Sequence, residues 1–215
     1  MRLGVFDSGI GGDAVAAALH KEFPLAFINV VNDKSNVPYG DKSPSLVYAL
    51  THAAIQPLLK GSYDVIVIAC NTATAAAIKK LRAEYPLQKF IGLEPMIKTA
   101  AEITQTSIIG VCATPSTLAS DRYKHLVERY GPHLDIIEPD CSKWAYLIEN
   151  NQLSRHHIQS TINNLCERGA DVIVLGCTPY HWIKSLIVEI TSDRAVVIEP
   201  SEAIGRRIHQ LITAA

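Results

Sequence analysis

Short, nearly continuous apolar runs punctuate the chain and end in small or polar residues: LGVFDSG (3–9), FINVVND (27–33), DVIVIACNT (64–72), FIGLEP (90–95), IIGVCATPS (108–116), LDIIEPD (134–140), DVIVLGCTP (171–179) and VVIEP (196–200). Each is the length of a strand, and continuous rather than alternating apolar character marks strands covered on both faces. Between them, SPSLVYALTHAAIQPLLK (43–60), TATAAAIKKLRAEY (72–85), SRHHIQSTINNLCERG (154–169) and PYHWIKSLIVEI (179–190) space their apolar residues at helical intervals. Strand and helix alternating along a whole chain predict an α/β fold of parallel sheets flanked by helices, because right-handed βαβ crossovers place helices on both faces.

The strand runs recur in order. DVIVIACNT matches DVIVLGCTP, which puts Cys177 107 residues beyond Cys70, and LGVFDSG, FINVVND and FIGLEP pair in the same way with IIGVCATPS, LDIIEPD and VVIEP. The repeat predicts two pseudo-symmetric α/β domains about a twofold axis, one from residues 1–95 plus 201–215 and one from 96–200, with Glu94 and Glu199, each before a proline, at the chain crossings. Ligands of open parallel sheets bind beyond the carboxyl ends of the strands. Asp7, Ser8, Cys70, Asn71, Thr72, Thr114, Thr117, Cys177 and Thr178 all follow apolar runs directly. Two halves facing each other would share one active-site cleft, with a thiol entering from each side.

Composition narrows the partners. The chain has 215 residues, 48% of them hydrophobic, which is enough for a sizeable core, and a net charge of −1 provides no basic field for nucleic acid or anionic lipid. Its apolar runs fall far short of the roughly 20 residues a membrane span needs, and Asp7 interrupts the amino terminus before a signal-peptide core can form, so a cytoplasmic location is expected. Five cysteines without an export signal are expected to stay reduced. Their spacing offers no zinc motif, adjacent His156 and His157 point in different directions on a helix, and no metal is expected. SGIGG (8–12) matches neither dinucleotide nor Walker pattern, though its amides suit a carboxylate. Cys112, Cys141 and Cys166 lack the paired context of Cys70 and Cys177 and are assigned no chemistry, with Cys112 and Cys166 read as packing residues.

Two like acid/base groups on opposite faces of one carbon suit inversion of a stereocentre, one taking a proton and the other returning one to the far face. A thiol titrates close enough to neutrality for this work, and both Cys70 and Cys177 precede predicted helices whose positive ends favour a thiolate. Against that stands the plainer role of a small apolar residue closing a buried strand.

GVFDSGIGG (4–12), VPYG (37–40), ACNTAT (69–74), ATPSTLASDRY (113–123) and GCT (176–178) resemble, in the same order, the motifs of the glutamate racemases of the aspartate/glutamate racemase superfamily. The resemblance spans nearly the whole chain, which is somewhat shorter than is usual for that family. It implies cofactor-independent interconversion of L- and D-glutamate, without pyridoxal phosphate, feeding peptidoglycan and cell-wall synthesis, in an enzyme whose relatives commonly form homodimers. By position, Cys70 and Cys177 would exchange the Cα proton. Asp7 would assist a thiol, and Glu149 matches a further catalytic carboxylate in a Leu-Ile-Glu setting. Ser8, Tyr39, Gly40, Asn71, Thr72, Thr114, Thr117 and Thr178 would hold the amino-acid substrate. One departure stands out: the family reads GCTHYP where this chain reads GCTPYHW, so Pro179 takes the place of a histidine that assists the second thiol. His181 lies two residues further on, about 200° around an α-helix. Open alternatives are a superfamily racemase for aspartate or another amino acid, and a protein that binds an amino acid without inverting it.

Overall fold

A computed structural model describes residues 1–213, apart from the side chain at position 202. The chain divides into two compact units, one of Met1–Glu94 with the C-terminal segment from Pro200, the other of Pro95–Glu199. The first carries β1 (Arg2–Asp7), α1 (Gly11–Glu22), β2 (Phe27–Asn32), α2 (Pro44–Ala54), α3 (Gln56–Lys60), β3 (Val65–Ile68), α4 (Asn71–Glu84) and β4 (Phe90–Gly92). The second carries α5 (Ile97–Ile103), β5 (Ile108–Cys112), α6 (Pro115–Leu118), α7 (Asp121–Tyr130), β6 (Asp135–Ile137), α8 (Trp144–Glu149), α9 (Arg155–Glu167), β7 (Val172–Leu175), α10 (Lys184–Thr191) and β8 (Val196–Ile198). After them α11 (Ser201–Thr213) returns to the first unit.

Each unit holds a four-stranded sheet, β2-β1-β3-β4 in the first and β6-β5-β7-β8 in the second. Every pairing is parallel. Each of the four recurring sequence runs therefore occupies the equivalent place in its own sheet, as the repeat predicts. The continuous apolar runs are explained by two-sided burial: Ile66 and Ile68 of β3 face one core cluster and Val65 and Val67 the other. In β7, Ile173 and Leu175 face one cluster and Val172 and Val174 the other. A fully buried side chain of this kind contributes about 1.5–3 kcal/mol, so the central strands anchor the loops at their carboxyl ends.

Two predicted helices are corrected. The 43–60 stretch breaks at Ile55 into α2 and α3, because Pro57 has no N–H to continue the ladder and its ring crowds the carbonyl four residues back. The 179–190 stretch opens as a 3-10 helix over Thr178–Ile183 and becomes α-helical only at Lys184. Pro179 sits in its first turn, and the Tyr180 N–H donates to the Cys177 carbonyl at 3.0 Å, a bond spanning three residues rather than four. Among the described residues, no helix is long and apolar enough to cross a membrane, and no group of three or more His, Cys, Asp or Glu side chains is arranged to hold a metal ion.

Candidate active site

In the first unit the polar residues gather at the carboxyl ends of β1 and β3. Asp7 closes β1, nearly fully buried, and its Oδ2 accepts the Gly9 N–H at 2.9 Å. Gly12 permits this packing: a Cβ there would lie 2.5 Å from Asn32 Oδ1 and 2.9 Å from the Asp7 Cβ. Neither Asp7 nor Ser8 is the residue capping α1, which is Ile10. Ser8 instead donates its hydroxyl to Cys70 Sγ at 3.2 Å.

Cys70 follows β3 and is the N-cap of the 14-residue helix α4, where its sulfur accepts the Ala73 N–H at 3.4 Å. It is buried, and its thiol is pushed up to about 12, first by desolvation and then by the Asp7 charge, against the pull of Ser8 and the Ala73 and Thr72 amides. The helix-end donors act in the expected direction, but burial outweighs them. Asn71, the first residue of the helix, is buried with both amide atoms lacking a hydrogen-bond partner in the protein. Such a group costs about 1–3 kcal/mol if nothing meets it. Thr72 is buried beside it. Tyr39 is also buried and gives its hydroxyl to Asp33 Oδ2 at 2.8 Å, while half-buried Gly40 continues the same short 3-10 turn. Desolvation and then Asp33 keep the Tyr39 phenol un-ionised.

In the second unit, Thr114 caps α6: its Oγ1 accepts the Thr117 N–H at 3.3 Å and lies 3.0 Å from Thr117 Oγ1, both residues buried. Cys177 leaves β7 after Gly176, where a Cβ would come within 3.0 Å of Ala113 and 3.3 Å of the Cys112 carbonyl. It precedes the 3-10 helix and makes no side-chain capping bond to it. The α-helix end anticipated at Cys177 is thus replaced by a six-residue 3-10 segment, whose end has less of a dipole to offer. Thr178 is buried in this segment. His181 is mostly buried, with Nε2 3.2 Å from Glu199 Oε2, and Lys184 Nζ lies 3.3 Å from Glu199 Oε1. Burial lowers the His181 pKa, with Glu199 opposing and Lys184 reinforcing that shift. Glu149 closes α8, half-buried, and α8 packs on the 3-10 helix.

Each unit thus gathers candidates at the carboxyl ends of its central strands, whereas Glu149 lies on α8, which packs on the 3-10 helix. Three residues escaped the sequence reading. Asp33, which holds Tyr39, follows its strand much as Asp7 does, and that signal was visible. Tyr180, fully buried, and Cys141, whose carbonyl accepts the Tyr180 hydroxyl at 3.2 Å, gave none. Cys141 pairs with Cys112, which with burial keeps its thiol protonated.

Comparison with known proteins places this arrangement. The profile of the Asp/Glu/Hydantoin racemase family matches residues 13–204. A glutamate racemase of Herpetosiphon aurantiacus is 35% identical over 217 residues, covering 99% of this chain and 85% of that protein. The crystal structure of Francisella tularensis glutamate racemase in complex with D-glutamate superposes with a TM-score of 0.83 at 26% identity, covering 99% of this chain and 81% of that one. Escherichia coli glutamate racemase, in complex with L-glutamate and the activator UDP-MurNAc-ala, shares the fold with a TM-score of 0.88 at 24% identity, covering 99% and 82%.

Proposed function

The chain belongs to the Asp/Glu/Hydantoin racemase family and is an amino-acid racemase, and from that premise we propose that it interconverts L- and D-glutamate with Cys70 and Cys177 as paired acid and base. The observation that carries the reading is the Cys70 corner: a buried thiol held by Ser8 and the amides of α4, beside an Asn71 amide with no partner in the protein.

The proposed reaction needs no organic cofactor or metal. One cysteine thiolate takes the Cα proton, the C–H electron pair passes into the α-carboxylate, and the thiol of the other cysteine protonates the opposite face. In the unliganded protein Cys70 holds its proton firmly, since both burial and Asp7 disfavour its thiolate. That suits it to enter as the acid. A substrate ammonium bound near the sulfur would supply the positive charge that brings it into working range as the base for the other enantiomer. Asp7 tunes Cys70, and Glu149 is the proposed carboxylate of the second half. Ser8, Tyr39, Gly40, Asn71 and Thr72 hold the substrate from the first unit, and Thr114, Thr117 and Thr178 from the second. The D-glutamate formed would serve peptidoglycan synthesis.

A second reading, glutamate binding without inversion, draws on Pro179 and on the pairing of His181 with Glu199. Incubation with each enantiomer in D2O separates the two. Racemisation gives deuterium at Cα from both enantiomers and optical rotation decaying to zero, whereas a ligand-induced thermal shift with no exchange would falsify the enzymatic reading.

A further inference from the structure

In a 3-10 helix, side chains three residues apart eclipse one another. Over Thr178–Ile183 this places His181 above Thr178 and Trp182 above Pro179, while Cys177 is the extended residue that leads into the helix. The 3.0 Å bond from the Tyr180 N–H to the Cys177 carbonyl fixes the register. His181, two residues past Pro179, is about 240° around this helix from it, and it turns to Glu199. The residue of this helix that holds the Cys177 carbonyl and shares its apolar cluster is instead a tyrosine.

Tyr180 is built to hold still. Its side chain is fully buried, its ring meets Trp144 edge-on at 5.5 Å, and its hydroxyl donates to the Cys141 carbonyl at 3.2 Å. Cys177 packs on the same apolar cluster, which includes Cys112, Cys141, Trp144 and Tyr180. A second tie comes from the Gly176 N–H, which donates to the Cys112 carbonyl at 2.8 Å. The backbone around Cys177 is thus tied on one side, through Gly176, to the end of β5 and on the other to the N–H of Tyr180, whose phenol reaches the loop after β6. Burial and the neighbouring thiols keep that phenol protonated, so its O–H stays a donor.

We propose that Tyr180 is the positioning residue of the second thiol, a buried strut between Cys177 and Cys141 that sets the direction in which the Cys177 sulfur points. The role in turnover rests on the reading that Cys177 exchanges a proton with the substrate. The effect on the thiol does not.

Two variants of the full-length chain test it, Tyr180→Phe, which removes only the hydroxyl, and Tyr180→Leu, which removes the ring, with circular dichroism confirming that each folds. Iodoacetamide labelling at each cysteine is followed by peptide mass mapping from about pH 7 to 10, which spans thiol ionisation. Tyr180→Phe is expected to change the Cys177 rate about threefold or more and shift its pH profile while leaving Cys70 in place, in keeping with the loss of one neutral hydrogen bond. In turnover, kcat falls with KM nearly unchanged, and the Cα deuterium isotope effect rises for one enantiomer only. An unchanged Cys177 profile in a folded Tyr180→Phe protein, or equal changes at Cys70 and Cys177, overturns the proposal. A wild-type protein that exchanges no Cα proton sinks the racemase reading, while the labelling result still decides the role of Tyr180.

Discussion

Cys70 and Cys177 leave equivalent strands of equivalent sheets, yet the two corners are built differently. At Cys70 a true α-helix begins at once, and its amides and Ser8 converge on the sulfur under the opposing charge of Asp7. At Cys177 the chain winds through a 3-10 segment, and the surroundings are a buried tyrosine, two further thiols and an apolar cluster. The strand fixes where a thiol stands; the first turn after the strand decides what surrounds it. Duplication of a fold can therefore conserve the position of a reactive group while leaving its acidity and support free to diverge.

The comparison is most sharply tested by removing each thiol in turn. Cys70→Ser and Cys177→Ser are each expected to slow racemisation by about 10³-fold, within the range of a lost acid/base group. Each should retain Cα deuterium exchange for a single enantiomer, and a different one in the two variants. Racemisation intact in both directions after Cys70→Ser would end the two-thiol reading.

A smaller effect isolates the electrostatics of the first corner. Because the Asp7 charge disfavours the Cys70 thiolate, Asp7→Asn should speed iodoacetamide labelling of Cys70 near pH 8, about tenfold for each pKa unit gained, with Cys177 unaffected. Slower labelling of Cys70 would show that Asp7 acts in the opposite sense.

The smallest effect belongs to the second corner. The folded pKa of His181 lies below its ordinary value of 6.5, so the unfolded chain binds the extra proton first as pH falls. The stability tied to neutral His181 is fully present above about pH 6.5 and is lost as pH drops toward the lower folded value. Urea midpoints at mildly acid and mildly alkaline pH should show this decline in the wild type and less of it in His181→Gln. Identical pH slopes would mean that His181 does not titrate in that window.

Much of the architecture was legible because two-sided burial writes itself as continuous apolar runs, and DVIVIACNT and DVIVLGCTP repeat one solution. The first corner was legible too, since Asp7, Ser8, Cys70 and Asn71 are set by strand ends and a helix start, which are local events. The second was not. A 3-10 entry of six residues is too short for apolar spacing over 179–190 to distinguish from an α-helix, and Pro179 favours a helix start of either kind. Cys141 reaches the cluster from a loop far from Cys177 in sequence, through a backbone carbonyl that no side-chain pattern records. The acidity of Cys70 likewise depends on how deeply it is buried, which spacing does not encode.

The return of α11 to the first unit has a consequence for biogenesis. Ile204 and Ile208 complete the apolar cluster that covers Leu3, Val5, Val65 and Val67, and the absence of a side chain at Gly205 leaves room for the Glu22 carboxylate of α1. The first unit thus begins before the second and is finished after it, since one wall of its core is encoded beyond the whole of the second unit. The second, contiguous from Pro95 to Glu199, has all its residues before α11 is made. Vectorial synthesis, in which complete domains fold as they emerge, therefore favours an order of folding opposite to the order of the genetic message.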